Sequence, residues 1–226
     1  MHHPAIAFDV APYRLSGTVY GALLNHASAL RALGDAVNQP PYKQAPQAPV
    51  LYIKPRNTLS GEGAPVIVPA DSEELEVGAC LGLVIGRTAC RVSVEQALEH
   101  VAGFIIVNDV SVPHAVFYRP SVRMKARDGF CPLGSRATPR TLIKNPDALG
   151  IRIFIDDSLK ASANTSGLIR PVAKLLADVS EFMTLVPGDV LATGVAAPAP
   201  RVRAGQRVRI EIDGLGSLSN PFQAAV

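Results

Sequence analysis

The stretch LGLVIGRTACRVSVEQALEHVAGFIIVNDVS, residues 81–111, decides the fold. It opens and closes on short apolar runs, Leu81–Ile85 and Phe104–Val107. Neither approaches the roughly 20 apolar residues that a membrane helix needs. Both read as strands, over Ala79–Ile85 and Gly103–Val107. Between them Ser93 precedes Val94–His100 and Gln96 follows it by three residues, which predicts a short helix with a capping box. The second strand ends abruptly in Asn108-Asp109.

Working outward, strands are expected at Val50–Lys54, Ile151–Asp156, Asp189–Thr193 and Arg207–Ile212. The last alternates, with Val208, Ile210 and Ile212 on one face and Arg207, Arg209 and Glu211 on the other. Asp213-Gly214 behind it is a hairpin signal. Two further helices are expected. Ala27–Leu33 stops at Gly34, and Pro171–Phe182 starts on proline and is apolar at Val172, Leu175, Leu176 and Val179. With 19 prolines and 18 glycines cutting 226 residues into short elements, the fold class is a β-rich α+β roll or sandwich with few short helices. Residues 1–49 read as an N-terminal hairpin or lid region plus the proline-rich connector QPPYKQAPQAP. Residues 50–226 read as the main domain.

The bulk numbers exclude several classes. A net charge of +3 and one short basic cluster do not make a nucleic-acid stripe. The three cysteines, Cys80, Cys90 and Cys131, show no CxxC spacing, so neither a disulfide framework nor a zinc site is indicated. The opening MHHPAIAFDV has no basic region before an apolar core, so no signal peptide is expected. A reducing, cytoplasmic setting fits.

Three segments could carry chemistry. A carboxylate at a buried strand end costs several kcal/mol unless paired or metal-bound, so Asp109 is either a turn-forming cap or a functional ligand or base. In RPSVRMKARDGFCPLG (119–134), Arg119, Arg123, Lys125 and Arg127 fall within nine residues. In an extended chain they share parity and face one side, either as a solvated edge or as a receptor for a substrate with several carboxylates. Asp128 could pair with Lys125. In EFMTLVPGDVLATGV (181–195), a strand ends in Thr193-Gly194, where glycine allows close backbone approach to a ligand.

Seven stretches together resemble the fumarylacetoacetate hydrolase family: residues 17–30, 51–63, 81–111, 125–134, 163–169, 180–194 and 205–221. The resemblance implies that family's mixed β-roll. YRPSVRMKARDGFCPLG and YKQAPQAPVLYIKPRNT carry a nearer likeness to an isomerase/decarboxylase branch of aromatic catabolism. Those enzymes act on 5-oxopent-3-ene-1,2,5-tricarboxylate and its 2-hydroxyhepta-2,4-dienedioate product. By resemblance, Asp109 matches a magnesium-binding aspartate, Lys125 the active-site lysine, and Thr193 and Gly194 the turn beside the substrate. Lys54, Arg119 and Arg123 are the expected substrate-binding cations.

The family's other two magnesium ligands, an E-x-E pair, fall here on Gly78 and Cys80. Neither is a ligand for a hard ion that wants oxygen, so the reading assigns no certain cofactor and leaves Mg²⁺ doubtful. Glu74 and Glu76 share strand parity with those positions. Glu76 is displaced by roughly 7 to 13 Å along the strand and is expected to miss the site. The family's lid histidine position reads Ala29, leaving His26 as the available acid/base. The implied partners are a di- or tricarboxylate substrate and, for assembly, a second copy or a metal-bearing homologous subunit. No nucleic acid and no membrane are implied.

Overall fold

The computed structural model describes residues 9–10, 13–14, 18–117 and 121–225. Two sheets carry the fold. The first has six strands in the order Thr138–Pro139, Val101–Asn108, Ala79–Ile85, Val190–Ala192, Val19–Leu23 and Val50–Lys54. Its pairings are antiparallel except that between Val190–Ala192 and Val19–Leu23. Val19–Leu23 therefore sits inside the sheet, so this part of residues 1–49 is built into the main body. The second sheet runs Ser158–Asn164, Gly150–Ile155, Arg207–Ile212, Gly216–Ala224 and Val66–Val68.

Sequence pattern explains the layers. Every residue of Ala79–Ile85 is buried, matching a strand that is apolar on both faces. Arg207–Ile212 buries Val208, Ile210 and Ile212 and leaves the charged positions outward, as alternation predicts. Its turn comprises three residues, with Leu215 N–H donating to the Ile212 carbonyl and Gly214 at φ +76°. Ser158–Asn164 is a strand that the sequence reading left out. It has no buried residue and pairs with Gly150–Ile155 across Asp156-Asp157, both at positive φ.

The helix Val172–Phe182 packs Val172, Leu175, Leu176 and Val179 into the core. Its first turn is capped from a distance, the Asp147 carboxylate accepting from Val172 N–H at 2.7 Å. The expected capping box at Ser93 does not form: Ser93 makes no side-chain cap bond, and the helix Val94–Ala97 tightens into a 3₁₀ turn over Leu98–His100. Among the described residues no helix is long and apolar enough to cross a membrane.

Candidate active site

The site grows from the ends of two strands that are not neighbours in the sheet. Alternation puts Tyr52 and Lys54 on one face of Val50–Lys54, while Ile53 between them points out and is exposed. That face meets Asp109, the residue after Val101–Asn108, whose backbone N–H is fixed by the Gly78 carbonyl at 2.8 Å. Gly21 makes room for Tyr52, since a Cβ on Gly21 would fall 2.0 Å from the phenol ring.

Asp109 is 4% exposed and is gripped from three sides. Lys125 Nζ donates to Oδ2 at 2.6 Å, and the Tyr52 hydroxyl donates to the same oxygen. Lys54 Nζ lies 2.9 Å from Oδ1. Burial alone would raise the Asp109 pKa. The Lys125 and Lys54 charges, with the Lys125 and Tyr52 hydrogen bonds, outweigh it and hold the carboxyl well below its usual range. Tyr52 is pushed up by burial and then by the Asp109 charge. The three charges sum to +1, so the cluster presents a net cation.

Lys125 and Asp109 both line a cavity of about 380 Å³. The Lys125 ammonium stands 4.6 Å from the Tyr52 ring centre, and Asp109 is its hydrogen-bond partner among the described residues. Further round the wall are Gly78, Glu76, Ser111, His114 and Arg201.

Several expected residues sit elsewhere. Lys54 is 1% exposed and donates to the carbonyls of Val110, Lys125 and Phe130 at 2.6, 2.7 and 2.8 Å. Its three protons are committed, so it braces the cluster and does not reach the cavity. Burial lowers its pKa, opposed by Asp109.

Arg123 also departs from expectation. The chain is helical over Val122–Lys125, which turns Lys125 inward and Arg123 to solvent. Arg123 and Arg127 bond Asp71, at 3.1 Å and 3.0 Å. Asp128 accepts from Asn57, not from Lys125. Arg119 lies outside the described residues.

Thr193 is buried, its carbonyl accepting from Asn25 Nδ2 at 2.8 Å, and Gly194 holds φ +117° against Ala22 and Asn25. Neither is among the cavity-lining residues, whereas the next residue, Val195, is. His26 caps the helix Ala27–Ala32: Nδ1 accepts from Ser28 N–H and Nε2 lies 3.3 Å from the Asn164 carbonyl. Ala29, on the next turn, faces the cavity instead.

Glu76 was expected to miss the site, yet it lines the cavity. The strand Leu75–Glu76 pairs with Arg201–Val202, and the Glu76 backbone bridges Ser111 beyond Asp109. The cavity is long enough to reach two positions past Gly78. The Glu76 carboxylate lies 3.8 Å from Arg201, whose nearer partner is Glu74 at 2.6 Å.

These residues do not fit a magnesium ion. Among the described residues no group of three or more His, Cys, Asp or Glu is arranged to hold a metal. Asp109 is already neutralised by two ammoniums. A Cβ at Gly78 would lie 2.2 Å from the Asp109 carbonyl oxygen, so no ligating side chain has room there. Cys80 is fully buried and burial drives its thiol pKa far up, against a thiolate.

Tyr52, Ser111, His114 and Arg201 were missed as site residues. Tyr52 was findable, being two residues before Lys54 on the same strand face. Arg201 was not, because a strand pairing brings it across 125 residues of chain.

Comparison with known proteins places this geometry. The profile of the fumarylacetoacetate (FAA) hydrolase C-terminal family matches residues 18–223. A 4-hydroxyphenylacetate degradation bifunctional isomerase/decarboxylase of Salmonella dublin is 42% identical over 210 residues, covering 93% of this chain and 48% of that protein. The chain thus spans about half the length of that relative. Among solved structures, a 5-carboxymethyl-2-hydroxymuconate delta-isomerase of Mycobacterium smegmatis superposes with a TM-score of 0.79 at 29% identity, covering 96% of this chain and 82% of that one. A 2-hydroxyhepta-2,4-diene-1,7-dioate isomerase of Mycobacterium marinum gives 0.77 at 29% identity, covering 95% and 77%.

Proposed function

We propose that this chain, which belongs to the fumarylacetoacetate hydrolase family, is an isomerase/decarboxylase domain or subunit of 4-hydroxyphenylacetate catabolism. Its substrates would be 5-oxopent-3-ene-1,2,5-tricarboxylate and the 2-hydroxyhepta-2,4-dienedioate formed from it. The observation that carries this reading is the Asp109–Lys125 pair at 2.6 Å in the cavity wall, part of a cluster with net positive charge.

Moving a double bond in a dienol needs an anion clamp and a proton carrier. Lys125 supplies the clamp: its ammonium is oriented by Asp109 and faces a cavity into which a carboxylate or enolate oxygen fits. Asp109 is too acidic to act as a base and serves to fix Lys125. Tyr52 and Lys54 hold Asp109 in turn.

The test is direct. Purified chain is incubated with the dienol and loss of its conjugated absorbance is followed. Turnover above the uncatalysed rate is expected, and Lys125→Met is expected to remove it. A folded chain without turnover would overturn the reading. A second reading is favoured by the missing carboxylates at Gly78 and Cys80: a non-catalytic partner for a metal-bearing homologous subunit, either alternative assembling as an oligomer. Activity that appears only on mixing with such a subunit would select it.

A further inference from the structure

The strand Ala79–Ile85 and its partner Val101–Asn108 keep one antiparallel register past their ends. Ala79 lies opposite Asn108 and Glu76 opposite Ser111, which puts Gly78 opposite Asp109 between them. On its other side Glu76 lies opposite Arg201. Residues opposite one another in an antiparallel pair share a face. One row of that face is therefore Arg201, Glu76 and Ser111, and the next holds Gly78 and Asp109. All of them line the cavity. Glu76 and Asp109 are diagonal neighbours, a relation that sets two residues about 7 Å apart.

Among the described residues that line the cavity, Glu76 is the carboxylate that is both reachable and uncommitted. Its side chain is 26% exposed, and its ionic contact is Arg201 at 3.8 Å, too long for a hydrogen bond. Arg201 makes its short bond to Glu74 instead. Asp109 is buried and held by Tyr52, Lys125 and Lys54. The His114 Nε2 is sealed from solvent. Ser111 is buried and offers a hydroxyl, which is no base at neutral pH. Lys125 is already an ammonium paired with Asp109.

We propose that Glu76 is the proton-carrying catalytic residue of this cavity, an inference that rests on the isomerase reading above. The hydroxyl oxygen and C5 of a 2-hydroxy-2,4-dienoate lie four bonds apart, about 5 Å. With the oxygen on the Lys125 ammonium, C5 reaches toward the row of Glu76. The hydroxyl proton passes through one solvent water to the Glu76 carboxylate. The O–H bond breaks, its electron pair forms the C2=O bond, and the C2=C3 pair moves to C3=C4. The C4=C5 pair then forms a new C5–H bond with the proton that Glu76 gives up. The product is the 2-oxo-3-enoate. Nothing is oxidised or reduced, and Glu76 ends as the carboxylate it began.

The experiment compares wild-type chain, Glu76→Gln and Glu76→Ala on the dienol. Backbone groups make the pairing of Leu75–Glu76, and Arg201 keeps Glu74, so both variants should fold; near-ultraviolet circular dichroism checks this. For Glu76→Gln, kcat is expected to fall about 10²- to 10³-fold without a rise in KM, the range for a lost acid–base group. In deuterium oxide the wild-type chain should place deuterium on a single face of C5, read by proton NMR, and the residual product of Glu76→Gln should show no facial preference. For Glu76→Ala, formate in the buffer should restore about tenfold or more of the lost kcat, which a purely structural role would not allow. An active wild-type chain whose Glu76→Gln variant keeps kcat within about fivefold overturns the proposal and leaves the isomerase reading standing. A loss that formate does not relieve also overturns it. A folded wild-type chain without turnover removes both.

Discussion

On one wall of the cavity a single carboxylate, Asp109, is held by two ammoniums and a phenol. Along the adjoining wall Gly78 offers only backbone, and Cys80 is sealed from solvent. The two walls are joined at the backbone, since Asp109 N–H bonds the Gly78 carbonyl and the Asn108 side chain accepts from Gly78 N–H at 3.1 Å. The charged wall is over-determined and the bare wall is closely packed.

The largest effect expected is at the centre of the charged wall. In Asp109→Asn the ammoniums of Lys54 and Lys125 would remain buried without a counter-charge, so stability should fall by about 3–5 kcal/mol, read by urea denaturation. A loss below about 1 kcal/mol would mean that the cluster is not held by charge. The pH sign follows from the lowered Asp109 pKa. Its contribution is complete above the unfolded value near 4 and is lost as pH falls through the folded value. Wild type should therefore lose stability below about pH 4, with this carboxyl's contribution full and unchanging between about pH 5 and 8. Asp109→Asn should flatten the acid limb.

The bare wall comes next. A Cβ on Gly78 meets backbone, not a flexible side chain. Gly78→Ala should cost about 1–3 kcal/mol, the range for overpacking. The double change Gly78→Glu and Cys80→Glu restores the lost ligand types but not the room for them, so Mg²⁺ should not raise its melting temperature. A Mg²⁺-dependent rise would show that the wall can be rebuilt.

Glu76 tests the rim. Removing its charge in Glu76→Gln lessens repulsion of an anionic substrate, while Arg201 keeps Glu74. KM for the dienedioate should fall about two- to fivefold at low salt, and less at high salt. An unchanged KM would place the substrate's carboxylates away from Arg201.

What was legible in the chain follows the same division. Val50–Lys54, Ala79–Ile85 and Arg207–Ile212 appear with the expected bounds because each carries its own period or apolar run. Ser158–Asn164 carries only a weak period: Leu159, Ala161 and Ala163 alternate, but two are alanines and none is fully buried, so its partner strand holds it. The conjunction of Asp109 and Lys125 was expected from the family resemblance, and the structure brings the two together at 2.6 Å. Roles that depend on where a side chain turns were not readable. Lys54 reads as one more cation, and only the convergence of three carbonyls makes it a brace.

The smallest effect expected separates the cavity from the surface cluster two residues away from Lys125. Arg123 and Arg127 both bond Asp71, whose carboxyl is lowered to about 2 by the Arg127 and Arg123 hydrogen bonds. That group lies on the exposed surface, so solvent and salt screen the interaction. Asp71→Ala should leave melting temperature, kcat and KM unchanged at neutral pH. Its acid sensitivity has the same sign as that of Asp109, with stability lost only as pH falls from about 4 toward 2, but its amplitude should vanish in moderate salt. Arg123→Ala should be equally silent. If either variant raised KM for the dienedioate severalfold, Arg123 would be reaching the substrate, and the boundary between a buried cationic site and a solvated basic edge would have to be drawn one helical turn further out.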